Sequence, residues 1–273
     1  MASPAIDVLM GVYRPDRPML RRAIRSILDQ TWKSLRLIIC DDGSPDDTYS
    51  WLEHYAAASG RILLLRHEQN RGLAAALNTC LRYASADYVA RQDADDYSLP
   101  DRLEKQVQFL QEHPAFSFAG SFLYLFDEQG VWGRKRYPLY PQKKDFLFSI
   151  PYMHGALIFR RAALLSCGGY QVSRITRRAE DYELLMRMYA QGHRGANLPL
   201  ALYAFREDDS ARLRRKYRYR IDEAQVRWEG FRRMGIGTEG LPYIVKPLIV
   251  GLIPSGLLKR LKERRYHLQF ERR

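Results

Sequence analysis

Apolar and polar residues follow two patterns along the first hundred residues of the chain. Short apolar runs, typical of buried strands, stand at residues 6–10, 35–40, 62–65 and 87–90. Between these runs, apolar residues recur every three or four positions, the spacing of a helix with one buried face, as at Leu20, Ala23, Ile24 and Ile27. Strands that alternate with helices through short links predict an α/β fold, in which a mostly parallel sheet is flanked by helices.

The second half of the chain has a mixed pattern. Residues 116–126 are predicted to form a strand pair, residues 153–159 a further strand, and residues 182–189 a helix. We therefore expect one body over residues 1–211, followed by a basic, partly apolar helical region over residues 212–273.

Acidic clusters follow two of the predicted strands. Asp41 and Asp42 end the strand at 35–40, and Asp93, Asp95 and Asp96 follow the strand at 87–90. Ligands of an open parallel sheet bind beyond the carboxyl ends of its strands. Carboxylates held there suit a hard divalent cation that shares its ligands with phosphate oxygens. Aspartates also form turns and cap helices, so that alternative stays open for each of them.

A third acidic pair, Glu180 and Asp181, directly precedes the predicted helix at 182–189. A carboxylate there could simply cap the helix, whose dipole stabilises its ionised form. Beside a site that binds metal and phosphate, it could instead act as a general base. His154 and Gly155 form a small-residue segment where backbone could approach a ligand or simply turn.

The charge of the chain is concentrated near its end. The net charge is +13, but residues 1–211 hold 27 basic and 25 acidic side chains, whereas residues 212–273 hold 17 and 6. Such a basic segment favours a polyanionic partner, either nucleic acid or an anionic membrane surface. A hydrophobic content of 46% argues against a disordered chain, and three scattered cysteines argue against a disulfide scaffold. The first residues lack the basic and apolar regions of a secretory signal, so we expect a cytoplasmic protein.

The C-terminal segment combines apolar and basic residues. Residues 241–258 read LPYIVKPLIVGLIPSGLL, and residues 259–265 read KRLKERR. Three prolines interrupt a run too short to span a bilayer, whereas an apolar element followed by cations suits the surface of an anionic membrane. The alternative is a strap that packs on the body, with its arginines merely solvated.

Taken in order, these segments resemble a family 2 glycosyltransferase of the GT-A fold, over roughly residues 5–211. The motifs that carry the resemblance are Val8-Leu9-Met10-Gly11-Val12-Tyr13, Ser26-Ile27-Leu28-Asp29-Gln30-Thr31, Ile38-Ile39-Cys40-Asp41-Asp42-Gly43-Ser44, Asn70-Arg71-Gly72-Leu73-Ala74, Arg91-Gln92-Asp93-Ala94-Asp95-Asp96, His154-Gly155-Ala156, Gly168-Gly169-Tyr170 and Ala179-Glu180-Asp181-Tyr182-Glu183-Leu184. The resemblance implies a Rossmann-like GT-A catalytic domain over residues 1–211.

The resemblance also implies roles for individual residues. Tyr13 would stack near the nucleotide base, and Asp42 would accept a hydrogen bond from that base. Asp93 would face the ribose, and Asp95 would bind a metal, Mn²⁺ or Mg²⁺, that bridges the diphosphate. Asp181 would be the general base of this inverting family.

Further residues are expected at the site with less specific roles. Arg71 is assigned to nucleotide binding on charge alone, and His154, Gly155 and Glu180 are expected near the acceptor or the donor sugar. Where many members have Tyr-Arg-x-His, this chain has Phe205-Arg206-Glu207-Asp208. Asp208 is therefore expected to serve as an oxygen ligand of the metal in place of the histidine.

The predicted function is inverting transfer of a sugar from a nucleoside-diphosphate sugar, with UDP favoured, to a hydroxyl of a saccharide or lipid-linked acceptor. This activity belongs to bacterial cell-surface polysaccharide synthesis, and the basic segment would hold the enzyme peripherally on the inner face of the cell membrane, with no nucleic acid bound. Two alternatives are a metal-dependent nucleotidyltransferase and a non-enzymatic, basic nucleic-acid-binding protein. The sugar, the acceptor and the oligomeric state stay open.

Overall fold

A central β-sheet organises the protein, of which the computed structural model describes residues 5–207 and 217–252. Within these residues the sheet has nine strands: β1 (Ile6–Val12), β2 (Leu35–Asp41), β3 (Ile62–Arg66), β4 (Tyr88–Arg91), β5 (Tyr97–Ser98), β6 (Phe118–Asp127), β7 (Gly130–Lys135), β8 (Ile158–Arg160) and β9 (Gly195–Arg206). Their hydrogen-bonded order is β3-β2-β1-β4-β8-β6-β9-β5, and β7 pairs with β6 outside this path.

The first four strands form the parallel part of the sheet. β1 lies between β2 and β4, and β2 also pairs with β3. The later strands are mixed, since β8 runs antiparallel to both β4 and β6, whereas β6 and β9 are parallel. The predicted division into a parallel first half and a mixed second half is confirmed.

Helices cover both faces of the sheet. In the described residues these are α1 (Arg17–Leu28), α2 (Thr48–Ala57), α3 (Leu73–Tyr83), α4 (Arg102–Glu112), α5 (Arg161–Ser166), α6 (Glu180–Ala190), α7 (Arg218–Met234) and α8 (Leu241–Val250). Short 3-10 helices stand at Lys143–Leu147, His154–Ala156 and Thr238–Gly240.

The alternation of side chains along β1 explains why helices pack on both faces. Val8 and Met10 are buried with the apolar residues of α1 and α4, whereas Leu9 is buried with those of α3 and α6. Because successive side chains of a strand point to opposite faces, a strand buried on both sides becomes the continuous apolar run seen in the sequence.

Helix α7 belongs to the same core as the body. Phe231, Met234 and Val226 are buried in one cluster with Met186 of α6, although all three lie in the region that was predicted to be separate. Trp228 lies on the exposed face of α7. The predicted boundary between residues 211 and 212 falls among residues 208–216, outside the described part, so the two-domain division stays a prediction.

The C-terminal apolar segment is helical where the structure describes it. Helix α8 has Pro242 in its first turn and Pro247 in its interior. Among residues 5–207 and 217–252, no helix has the length and the apolar character needed to cross a membrane. The basic cluster at 259–265 lies outside the described residues.

The packing of α7 gives a prediction about stability. We expect Phe231→Ala to lower the free energy of unfolding by about 3–5 kcal/mol, because it removes a buried ring and leaves a cavity. Trp228→Ala, a change on the exposed face of the same helix, is the matched control and should cost less than about 1 kcal/mol. Urea denaturation measures both. Equal effects of the two substitutions would contradict the packing of α7 on the body.

Candidate active site

Three neighbouring strands bring predicted site residues to one edge of the sheet. Tyr13 follows β1, Asp42 follows β2, and Asp93 follows β4 by one residue. The Asp42 N–H donates to the carbonyl of Val12 at 2.8 Å, so the parallel ladder continues to the ends of β1 and β2. Because β1 lies between the other two strands, their carboxyl ends form a continuous edge, which is where an open α/β sheet binds ligands.

Asp42 organises the loop that begins α3. Its Oδ1 accepts hydrogen bonds from the Arg71 N–H at 2.9 Å and pairs with His67 Nδ1 at 2.7 Å, while its Oδ2 accepts from the Gly72 N–H at 2.7 Å. The side chain of Arg71 is exposed. Asp42 therefore holds Arg71 at this edge, and the nucleotide-binding roles of both residues stay predictions.

Asp41 was given no role of its own in the sequence analysis, yet its carboxylate has an unused acceptor. Oδ1 accepts from the Ser44 N–H at 3.1 Å, whereas the buried Oδ2 has no hydrogen-bond donor among the described residues and lies 3.8 Å from Arg66 Nε. Buried acceptors are normally satisfied, so this oxygen is a second candidate, beside Asp42, for accepting a hydrogen bond from a nucleotide base.

Tyr13 stands in a strained turn at the same edge. Its side chain is 46% exposed. The next residue, Arg14, has φ of 45°, a left-handed conformation that side-chain-bearing residues seldom adopt, and its N–H donates to Ser44 Oγ at 3.0 Å. Such strain clusters at functional sites, which supports, without testing it, the predicted contact of Tyr13 with a base.

The acidic loop after β4 is built around a buried ion pair. Arg91 is 1% exposed, and its Nη2 donates to Asp93 Oδ1 at 2.6 Å. Asp96 is also buried and accepts from the Tyr203 hydroxyl at 2.9 Å; burial, then the charges of Asp95 and Asp93, raise its pKa well above the usual range. The carboxylate of Asp95 is exposed. The loop thus anchors two carboxylates inside the protein and leaves Asp95 accessible.

A second buried arginine joins this loop to the segment at 154–156. Arg102 donates from Nη1 to the Gly155 carbonyl at 3.2 Å and from Nη2 to the Arg91 carbonyl at 3.1 Å. A Cβ atom at Gly155 would lie 2.6 Å from Asp93 Oδ2 and would also collide with the Tyr203 hydroxyl. Glycine is therefore required at this position for close packing against Asp93.

His154 is held in a neutral, buried position. Its Nε2 pairs with the Tyr170 hydroxyl at 2.9 Å. Burial, together with the charge of Arg91, lowers the pKa of His154 well below its usual range. Its imidazole thus supports Tyr170 within the core, and its predicted place near the sugar stays a prediction.

Glu180 and Asp181 open helix α6 with carboxyl groups of different character. Burial and then the charge of Asp181 raise the pKa of Glu180 to about 8, and the buried Glu180 Oε2 has no hydrogen-bond partner within the described part of the chain. Burial also raises the pKa of Asp181, to about 6, against the hydrogen bond that its Oδ1 accepts from the Tyr182 N–H at 2.7 Å. At neutral pH Glu180 therefore keeps its proton, whereas Asp181 is ionised.

The structure brings several of the predicted residues into one acidic basin. The charge of Asp93 acts on both Glu180 and Asp181, and Arg91 partly offsets it at Glu180. The Tyr170 hydroxyl lies within the electrostatic range of Arg91, Asp93, Glu180 and Asp181, and its pKa is raised, first by burial. Asp208 lies outside the described residues, so its role as a metal ligand stays a prediction.

The carboxylates at this edge fit a metal ion that is shared with a substrate. In the ranges 5–207 and 217–252, no three His, Cys, Asp or Glu side chains are grouped so as to hold a metal by themselves. Mg²⁺ and similar hard ions are commonly bound by one or two carboxylates together with substrate phosphates. The accessible Asp95, with Asp93 beside it, is a donor set of this kind.

Sequence analysis overlooked the two arginines that support this basin. The position of Arg91 in the sequence could have indicated its role, because it ends an apolar strand two positions before Asp93. For Arg102 there was no such indication, because a charged residue at the start of a helix is usually exposed.

The parallel sheet with carboxylates at the carboxyl ends of its strands is the arrangement expected of the GT-A fold. The sequence model of the family "Glycosyl transferase family 2" matches residues 7–168, and the chain belongs to this family.

Similar proteins agree with this assignment. The chain is 41% identical to EpsE of Bacillus subtilis (strain 168), a protein named as a glycosyltransferase, over 99% of this chain and 97% of that protein. It is 31% identical to the amylovoran biosynthesis glycosyltransferase AmsE of Erwinia amylovora, over 81% and 83% of the two chains.

Solved structures share the fold. TarS 1–349 of S. aureus in complex with UDP-GlcNAc has a TM-score of 0.69 at 18% identity, over 89% of this chain and 73% of that one. The mannosyltransferase PcManGT of Pyrobaculum calidifontis in complex with GDP-Man and Mn²⁺ has a TM-score of 0.64 at 22% identity, over 92% and 69%.

The raised pKa of Glu180 gives a prediction about stability and pH. A carboxyl group whose pKa rises from 4.5 to about 8 on folding keeps its proton in the folded state while the unfolded state loses it. Its contribution to the free energy of unfolding therefore falls as the pH rises from about 5 to 8. Glu180→Gln removes this loss, so the Tm of the variant relative to the wild type should increase over that range by about 2–4 °C or more.

Scanning calorimetry at pH 5 and pH 8 measures the difference. The matched control is Glu128→Gln, a change at an exposed glutamate, for which the difference should stay constant. If the difference in Tm between Glu180→Gln and the wild type does not change with pH, the assignment of a protonated Glu180 is contradicted.

Proposed function

We propose that the protein transfers a sugar, with inversion at the anomeric carbon, from a nucleoside-diphosphate sugar to a hydroxyl of a saccharide or lipid-linked acceptor. The observation that carries this proposal is the placement of Asp181, a carboxylate with a raised pKa, in the electrostatic range of Asp93 at the carboxyl edge of the sheet. A base must be ionised at the working pH and still attract a proton, which a carboxylate with a pKa of about 6 satisfies.

The reaction follows from this placement. Asp181 accepts the proton of the acceptor hydroxyl while the hydroxyl oxygen forms a bond to the anomeric carbon. The bond from that carbon to the diphosphate oxygen breaks on the opposite face, so the configuration is inverted. Glu180 keeps its proton and adds no second negative charge beside the base.

The donor would occupy the edge formed by β2, β1 and β4. Tyr13 stacks on its base, Asp42 accepts a hydrogen bond from the base, Arg71 faces phosphate, and Asp93 faces the ribose. Asp95 and Asp208 would hold Mn²⁺ or Mg²⁺, and the ion would supply positive charge that stabilises the leaving diphosphate. TarS, solved with UDP-GlcNAc, and PcManGT, solved with GDP-Man and Mn²⁺, support a nucleotide-sugar donor and a divalent ion, with UDP favoured here.

We place this activity in the synthesis of a cell-surface polysaccharide. AmsE is named for amylovoran biosynthesis, and a further relative, TuaG of Bacillus subtilis (strain 168), for teichuronic acid biosynthesis. Family membership and the placement of Asp181 favour sugar transfer over nucleotidyl transfer and over a nucleic-acid-binding role.

The role of Asp181 gives a prediction about rate. We expect Asp181→Asn to lower the release of nucleoside diphosphate by about 10²- to 10⁴-fold, the contribution of a positioned general base. The donor is the nucleotide sugar that raises the Tm most in a screen with and without Mn²⁺, and this rise should be unchanged in the variant. For the wild type, kcat/KM should fall as the pH drops below about 6, because Asp181 becomes protonated.

A matched control is Asp87→Asn, a change at an exposed aspartate before the start of β4, at the opposite edge of the sheet. It should keep both the rate and the pH profile of the wild type. Turnover by Asp181→Asn at the rate of the wild type would rule out Asp181 as the base.

We also propose that the C-terminal region, residues 212–273, binds the inner face of the cell membrane from the cytoplasm. Helix α8 supports this with an apolar stripe at Leu241, Val245 and Ile249, side chains that are 47–58% exposed, and Leu252 in the turn after the helix is 74% exposed. Positions spaced by three or four residues share one helix face. A stripe of this kind, followed in the sequence by the basic cluster at 259–265, suits an element that lies in the interface of an anionic bilayer.

The stripe gives a prediction about membrane binding. We expect the double substitution Val245→Ser and Ile249→Ser to weaken binding to liposomes that contain phosphatidylglycerol by about tenfold or more, because two apolar side chains no longer enter the interface. Sedimentation with the liposomes measures binding, and deletion of residues 241–273 should abolish it. Leu165→Ser, a change at an exposed leucine of α5, is the control and should bind as the wild type does. Equal binding of wild type and deletion variant would refute this membrane role.

A further inference from the structure

A cavity opens beside Asp181 on the side of helix α7. Its volume is about 360 Å³, in the range of small-ligand sites. The walls come from residues 149–150, from the start of α6 and from the first turns of α7, and they include Asp181, Arg178, Tyr219 and Glu223. Most of this lining lies beyond residue 168, where the family match ends.

Asp181 lines this cavity and lies within the electrostatic range of the acidic edge of the sheet. The charge of Asp93, at the edge, and the charge of Glu223, in the cavity wall, both raise the pKa of Asp181, although burial contributes most. From this position the carboxylate can take a proton from a molecule in the cavity while the nucleotide-sugar donor occupies the edge of the sheet. The cavity therefore has the position required of an acceptor site, and this step rests on the function proposed above.

The cavity wall carries more positive than negative charge. Three arginines line it, and Glu223 engages two of them: its Oε1 accepts from Arg227 Nη2 at 3.0 Å and its Oε2 from Arg220 Nη1 at 3.2 Å. Arg227 is also fixed by a hydrogen bond from its Nη1 to the Leu147 carbonyl at 2.8 Å. These contacts leave the third arginine as the cation that can meet a ligand.

Arg178 is this third arginine. It is exposed, and its guanidinium lies 5.6 Å from the centre of the Tyr219 ring, which holds it at the cavity. Across residues 5–207 and 217–252, no carboxylate lies within ion-pair distance of Arg178. A guanidinium without a carboxylate partner is well suited to bind a phosphate or a carboxylate with paired hydrogen bonds.

We infer that this cavity is the acceptor site and that it selects an acceptor saccharide bearing an oxyanion, either a phosphate or a carboxylate, which Arg178 binds. The oxyanion would fix the orientation of the sugar so that a neighbouring hydroxyl points to Asp181. A phosphate would come from a lipid carrier or a phosphorylated sugar, and a carboxylate from a uronic acid.

Three probes of matching size test this inference: glucose 1-phosphate, methyl β-glucuronide and the neutral methyl β-glucoside. Binding is measured by NMR chemical-shift titration of the full chain with saturating nucleoside diphosphate and Mg²⁺, which fill the phosphate site of the donor. We expect at least one anionic probe to bind about tenfold more tightly than the glucoside. The stronger of the two anionic probes identifies a phosphate or a carboxylate as the preferred group.

Two variants assign the preference to one residue. Arg178→Gln should remove the tenfold preference and leave the affinity for the glucoside unchanged. Arg177→Gln, a change at the exposed neighbour that does not line the cavity, should keep the preference. The inference is overturned if no probe binds, if the anionic and neutral probes bind equally, or if Arg178→Gln keeps the preference.

The same samples separate this inference from the proposed function. A rise in Tm on adding a nucleoside diphosphate reports the donor site, which Arg178 does not form. If the diphosphate binds and no anionic preference appears, only the acceptor inference fails. If neither UDP nor GDP binds, with or without a metal ion, the proposed function fails, and the acceptor inference that rests on it fails too.

Discussion

Arg91 and Asp93 form an ion pair at the end of β4, with the guanidinium almost completely removed from water. Burying a cation is unfavourable unless its charge is paired. Asp93 pairs with Arg91 through Nη2, and the carbonyls of Leu9 and Gln92 accept from Nη1, whereas Nε has no hydrogen-bond partner among the described residues. Arg91 in turn offsets the acidic groups around it, because it lowers the pKa of Glu180 and of Tyr170 against the opposing effect of burial. Arg91 is therefore a counter-charge for the acidic groups inside the basin.

The second buried arginine extends this constraint into the fold. Arg102 bonds to main-chain carbonyls at Arg91 and Gly155, so it joins the end of β4 to the turn before β8. Burial lowers the pKa of Arg102 to about 10, which still leaves it charged at neutral pH. Because Gly155 has no side chain, this turn lies directly against Asp93. Arg102 and Gly155 thereby fix the position of the acidic loop, in which Asp95 is the exposed aspartate.

The parts that the sequence predicted well depend on local patterns. The four parallel strands and helices α1 and α3 follow from apolar runs and helical spacing, and the acidic residues of the edge follow from their positions at the ends of strands. The parts it missed depend on contacts between distant segments. Arg102, in α4, is buried by its contacts with Gly155 and Arg91, and no periodicity reports such a contact. The same holds for α7, where Phe231 belongs to the core of the body although the sequence was divided between residues 211 and 212.

Some of the basic residues of the C-terminal region stabilise the fold, although the composition suggests a polyanionic partner for them. Arg227 is bonded to Glu223, and Arg233 donates from Nη1 to Glu183 Oε1 at 3.0 Å, which ties α7 to α6. These cations stabilise the packing of the helix that completes the cavity wall, so they are not available to a membrane. Paired arginines thus position α7 beside Asp181, whereas the apolar stripe of α8 is exposed. Because α8 follows α7 in the chain, a bilayer bound at α8 as proposed would lie near the helix that lines the proposed acceptor cavity, which would link the delivery of a lipid-linked acceptor to the proposed base, Asp181.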